Sequence, residues 1–100
     1  MDRVGVEDWL KLNKVKNYTI NEDLSVDVDG DVNLVGNYLV GIQVNFRNVS
    51  GNFSCVYGNL TTLMGCPKKV GGNFYCYNNE LLSLEGCLSV GGKFHRNGNQ

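Results

Sequence analysis

From Val28 onward the chain repeats itself, and a repeat constrains a fold more tightly than composition can. VSGNFSCVYGNLTTLMGCPKK starts at Val49, VGGNFYCYNNELLSLEGCLS at Val70 and VGGKFHRNGNQ at Val90. VDGDVNLVGNYLVGIQVNFRN, from Val28, is a diverged first copy, so the starts lie 21, 21 and 20 residues apart. Two residues after each valine stands a glycine: Gly30, Gly51, Gly72, Gly92. Four after it the residue is apolar: Val32, Phe53, Phe74, Phe94. Six after it come Leu34, Cys55, Cys76 and then Arg96. Asn37, Gly58, Asn79 and Asn99 follow at nine, Leu39, Leu60 and Leu81 at eleven, and Ile42, Leu63 and Leu84 at fourteen. A second cysteine falls at seventeen, Cys66 and Cys87. Units this alike place equivalent residues in equivalent surroundings, and each hides its apolar face only against its neighbours.

The template Val-x-Gly-x-Phe-x-Cys-x-x-Asn-x-Leu-x-x-Leu-x-Gly-Cys assigns a physical task to each position. Phe and Cys two apart point to one side of a strand. The asparagine at nine bonds backbone where the chain turns off the strand. The leucines return to the core, and glycine allows a tight bend into the next copy. This pattern resembles the leucine-rich-repeat signature, and its wording, VGGNFYC and LLSLEGC, resembles small repeat proteins of bacteriophages and bacteria. The resemblance implies an α+β chain: a short leucine-rich-repeat-like solenoid with a parallel sheet and an N-terminal helical cap. The expected division is a cap over 1–27 and a solenoid over 28–100, with repeats 28–48, 49–69, 70–89 and 90–100.

Terminal repeats need covering. At the front, Val6, Trp9, Leu10 and Leu12 among charges predict a short amphipathic helix over Gly5–Lys16, with Trp9 over the apolar end of the first repeat. Tyr18-Thr19-Ile20 and Leu24–Asp29 alternate like strands. At the back, the fourth copy stops just after its strand, which predicts an open edge. Either the tail frays or something covers it, and a second copy of the chain is the economical cover, a homodimer through the C-terminal repeat; a clean monomer by light scattering at tens of micromolar would count against it.

Nine basic against ten acidic residues give no basic footprint for nucleic acid or an anionic membrane. The balance is uneven: residues 1–48 hold eight acids and five bases, residues 49–100 two acids and four bases. No apolar run has the length of a membrane span, and MDRVGVEDWLKL is too charged for a signal peptide. A cytoplasmic location is expected, that of the host cell if the chain is phage-encoded.

Little in the sequence points to catalysis. Cys55, Cys66, Cys76 and Cys87 are spaced 11, 10 and 11 apart, without a C-x-x-C pair, and fit inward core ladders better than a zinc site. Asp27-Val28-Asp29-Gly30-Asp31 resembles the start of a calcium loop but lacks the downstream glutamate, and alternation with Val26, Val28 and Val32 fits a half-buried strand. His95, the single histidine, has no nucleophile that sequence logic sets beside it. The expectation is a chain that is not an enzyme and takes no cofactor or metal.

The outward face of the strands is the candidate binding surface, since solenoids bind through such faces. Positions three, five and seven read Asp31, Asn33, Val35; Asn52, Ser54, Val56; Asn73, Tyr75, Tyr77; and Lys93, His95, Asn97, with Tyr57 at the margin. Exposed tyrosines suit interface hot spots. The candidate partner-binding residues are Tyr57, Tyr75, Tyr77, Asn73, Lys93 and His95. Their expected partner is a host bacterial protein or protein complex. The resemblance implies a phage-encoded inhibitor, in host takeover or anti-defence such as anti-CRISPR, acting by steric occlusion. The competing expectation is a self-associating structural or assembly protein.

Overall fold

A computed structural model of the chain describes residues 1–34, 42–55, 64–76 and 89–95. Among them are one helix and two sheets, neither closed, an α+β arrangement. The helix, α1, spans Arg3–Leu12. The strands are β1 (Tyr18–Ile20), β2 (Ser25–Val28), β3 (Val32–Asn33), β4 (Asn45–Val49), β5 (Phe53–Ser54), β6 (Lys69–Val70), β7 (Phe74–Tyr75), β8 (Ser89–Val90) and β9 (Phe94–His95).

The helix starts two residues before the expected Gly5 because Asp2 caps it: its carboxylate accepts the N–H of Gly5 at 2.9 Å. It ends at Leu12 rather than Lys16 in a Schellman closure. Val15 N donates to Leu10 O at 2.9 Å and Lys14 N to Lys11 O at 3.1 Å, with Lys14 at φ 60°. Buried Val6, Trp9 and Leu10 face the sheet, and Arg3 anchors the other side by donating to Ile20 O at 3.1 Å.

The repeat period becomes the pairing register. In one sheet, ordered β1-β2-β4-β6-β8, Val49 pairs with Val70 and Val70 with Val90 in parallel, while β1 joins β2 antiparallel. In the other, ordered β3-β5-β7-β9 and parallel throughout, Val32, Phe53, Phe74 and Phe94 are successive partners. The expected single parallel sheet is therefore two. The valine position opens one strand row and the Phe-x-Cys position another, and the residues between them form a corner too tight for one ladder to run through.

Valines of the first row and aromatics of the second fill the core. Val26, Val28, Val49, Val70, Phe46, Phe53 and Phe74 are all at most 3 % exposed. Phe46, Phe53, Phe74 and Phe94 form a column with ring centroids 5.3, 5.3 and 4.8 Å apart. Trp9 caps it, edge-on to Phe46 at 6.1 Å, which places it on the first repeat as expected. Burying each such ring stabilises the stack by roughly 1.5–3 kcal/mol. Ile42, at the fourteenth position of the first copy, is also buried. The leucines at 39, 60, 63, 81 and 84 and the residues at position nine lie outside the described residues.

Gly65 is where a glycine's freedom is needed. Its φ is +90°, and a Cβ there would stand 2.7 Å from the carbonyl oxygens of both Ile42 and Val44. Its own carbonyl accepts the N–H of Phe46 at 3.0 Å.

Candidate functional site

The corner between the two strand rows organises the outer surface. In a flat parallel ladder, successive N–H groups alternate in direction. Here three in a row point at the preceding copy. Gly71 N donates to Val49 O at 2.8 Å and Gly72 N to Gly51 O at 2.9 Å. Asn73 N finds no backbone carbonyl and donates instead to the side-chain Oδ1 of Asn52 at 2.7 Å. The copies on either side repeat this, with Asn52 N on Asp31 Oδ1 at 2.7 Å and Lys93 N on Asn73 Oδ1 at 2.8 Å. Beyond the corner the direction reverses, with Phe53 N donating forward to Asn73 O at 3.0 Å and Phe74 N to Lys93 O at 2.9 Å.

Position three is thus a hydrogen-bond ladder and not simply an outward-facing surface, which corrects the role expected for Asp31, Asn52 and Asn73. Its signal was legible, since Asp, Asn and Asn share an acceptor oxygen at the same reach. Corner glycines Gly72 and Gly92 have a different role from the bend expected of them. A Cβ on Gly72 would lie 2.3 Å from Asn52 Oδ1 and 3.0 Å from Gly51 backbone, and one on Gly92 2.2 Å from Asn73 Oδ1. At Gly72 and Gly92 close approach of the neighbouring copy excludes a side chain, whereas Gly30, at φ +128° with no atom nearer than 4.0 Å to a Cβ, keeps the bend expected of it. Lys93 breaks the series, because an ammonium has donors only and offers no oxygen to a following copy.

Of the six candidate binding residues, the structure brings Asn73, Tyr75 and Lys93 together. Asn73 holds the Lys93 N–H with its carbonyl, and its amide Nδ2 donates to the Tyr75 hydroxyl at 3.0 Å. Tyr75 is half-buried beside fully buried Phe74, on the outer row of the four-stranded sheet. That row runs Asn33, Ser54, Tyr75 and, by backbone register, His95. Tyr57 and Tyr77 lie outside the described residues.

The other sheet carries a feature that position-by-position reading missed. Its outer face holds a groove of about 550 Å³, lined by residues that include Thr19, Asp29, Asn48, Ser50, Lys69 and Gly71. The rows flanking each valine line it, and of these only Asp27 and Asp29 carried the expectation of strand alternation.

The acidic run is engaged with β4 and the corner that follows it. Asp27 receives the Nε of Arg47 at 3.0 Å and the N–H of Asn48 at 3.1 Å, and the Arg47 hydrogen bond holds its carboxyl below the usual range. Asp29 accepts the Ser50 hydroxyl at 3.2 Å, and Asp31 serves the ladder. Val26 and Val28 are buried between them, the strand alternation expected. Among the described residues no three His, Cys, Asp or Glu side chains are grouped to hold a metal ion. Cys55, Cys66 and Cys76 are buried in the core, at most 1 % exposed, and the register that pairs Ser54 with Tyr75 carries Cys55 beside Cys76. Cys87 lies outside the described residues. No helix among them is long and apolar enough to cross a membrane. No family model, curated protein or solved structure matches the chain.

Proposed function

We propose that the chain is a non-catalytic protein-binding module whose contact surface is the outer row of the four-stranded sheet, centred on Tyr75. The observation that carries this is the fixing of that ring. Its hydroxyl is bonded by Asn73, whose carbonyl is in turn bonded by the backbone of the next copy. An aromatic anchor held before contact loses little freedom on binding, which is the economy that interface hot spots exploit.

The finer reading draws on the resemblance. It makes the chain a leucine-rich-repeat-like solenoid behind a cap over 1–27, phage-encoded, occluding a host bacterial protein or complex, with Tyr57, Tyr77, Lys93 and His95 joining Tyr75 in the contact. The self-assembly alternative loses support at Lys93, where the corner ladder would need an acceptor to continue into another copy.

The test is capture of the tagged chain from a bacterial host, with mass spectrometry of what is retained. A stoichiometric partner held by the native chain and lost with Tyr75→Ala, at unchanged circular dichroism, is the expected result. A partner retained undiminished by the variant would refute this placement. A native chain that elutes alone as a defined oligomer would favour assembly.

A further inference from the structure

The groove on the five-stranded sheet is shaped by the stack and charged by the sequence. One row along it runs Asp29, Ser50, Gly71, so the side chains shrink from copy to copy. Gly71 is required there, since a Cβ would stand 2.3 Å from Ser50 O. The row before the valines, Asn48 and Lys69, forms one wall, and Thr19 of β1 stands among the lining residues nearer the cap. The trench therefore follows the stack, with neutral hydrogen-bonding groups along its middle.

Its ends carry opposite charges. Asp29 is exposed and accepts one hydroxyl bond, leaving lone pairs open. Lys69, exposed, pairs with no acid among the described residues. They stand two strands apart, β2 to β6, and two residues apart along the strands, about 12 Å at the usual strand spacing and rise. Asp27 adds negative charge at the first end but is already matched by Arg47. A polyanion meets repulsion from Asp29, and a polycation meets it from Lys69. An extended segment with a base and an acid three residues apart spans about 10 Å at 3.3 Å per residue, and its side chains reach the remainder. Its backbone amides would meet Asn48, Ser50 and Thr19.

We propose that this groove is a second binding surface, which takes an extended peptide segment of a partner protein. A Lys or Arg of that segment sits against Asp29, and an Asp or Glu three residues away sits against Lys69. The surface lies on the other sheet from Tyr75 and does not depend on the Tyr75 reading.

The experiment is an amide NMR titration of the isotope-labelled full chain with three end-capped peptides, Lys-Gly-Gly-Asp, Lys-Gly-Gly-Lys and Asp-Gly-Gly-Asp. The dipolar peptide is expected to move the amides of Thr19, Asn48, Ser50 and Gly71 and to bind about fivefold tighter than either like-charged one, the scale of one exposed ion pair. Lys69→Asp should transfer the preference to Lys-Gly-Gly-Lys, and Tyr75→Ala should leave the titration unchanged. Equal binding of all three peptides would overturn the proposal. So would an absence of shifts at millimolar peptide, or shifts of the groove amides on simple dilution, which would mark a second copy of the chain as the occupant.

Discussion

The side-chain carbonyl of Asn52 accepts the backbone N–H of Asn73, one repeat further on, at 2.7 Å. Both are half-buried, so the bond replaces a carbonyl the bent backbone cannot supply where water reaches only in part. Removing the oxygen orphans a donor, which costs about 1–3 kcal/mol. Asn52→Ala should lose that much in urea denaturation. Asn52→Asp should stay close to the native midpoint, because Asp31 already performs the same task at 2.7 Å for Asn52 itself. Equal losses for the two variants would show that packing, not the acceptor, matters at this position.

The same oxygen fills the space that Gly72 leaves open. Gly72→Ala would bring a methyl to 2.3 Å from Asn52 Oδ1 and should destabilise the chain by about 1–3 kcal/mol through overpacking. The double variant Asn52→Ala/Gly72→Ala should lose less than the sum of the singles, since the first change removes what the second strikes. Simple additivity in a double-mutant cycle would mean that the backbone of Gly51, 3.0 Å away, dominates the clash.

Much of this stack was readable before any coordinate. The spacing of 21, 21 and 20 residues is the register that pairs Phe53 with Phe74 and Phe74 with Phe94, because identical side chains pack best on one another. Val28, Phe53 and Cys55 were placed inward by strand alternation and are buried. What escaped was the corner. Period-two alternation tells inside from outside along a strand but does not show where the N–H direction stops alternating. Asn52 and Asn73 therefore looked like surface, and Gly72 like a hinge. The groove was hidden for a related reason: Asp29, Ser50 and Lys69 stand on or beside three different strands, β2, β4 and β6, and only the stacking sets them along one trench. Tyr75 was recognised from its position alone, but its tether to Asn73 depends on a rotamer that spacing cannot reveal.

Lys14 occupies the left-handed position that closes α1, at φ 60°, with its side chain exposed. A non-glycine residue there costs roughly 1–2 kcal/mol in backbone strain, of which a glycine's extra unfolded-state freedom returns part. Lys14→Gly should therefore stabilise the chain by about 0.5–1 kcal/mol, seen as a higher thermal midpoint. A lower midpoint would indicate that the Lys14 side chain contributes more than its exposure suggests.

Phe53 stands between Phe46 and Phe74 at 5.3 Å from each and is fully buried. Its truncation breaks the aromatic column between the capped first copy and the later ones. Phe53→Ala should cost about 3–5 kcal/mol, a large share of what a domain of this size commands. Phe53→Leu should cost distinctly less, since it keeps most of the apolar volume. Guanidinium melts of the two variants compare them directly, and a Leu variant as weak as the Ala one would assign the loss to ring geometry rather than to volume.

Asp27 links the acidic front of the stack to Arg47 of the following strand, chiefly by hydrogen bonds from the guanidinium, and its carboxyl titrates below its ordinary 3.8. A folded-state value depressed below the unfolded one stabilises the fold at pH above the unfolded value. That contribution is lost as pH falls through the depressed folded value. Stability measured by urea midpoint should thus be flat near neutrality and decline as the solution is acidified below about pH 4. Asp23, exposed and hydrogen-bonded by Ser25, and Glu7, half-exposed and hydrogen-bonded by Lys11, are also lowered and add to the same slope. The discriminating comparison is Asp27→Asn, which keeps the shape but cannot ionise. It should be less stable than the native chain at pH 7 and should lose less on going to pH 3, so that the two curves converge. Parallel curves across that range would mean that the Arg47 contact is too well solvated to couple protonation to folding.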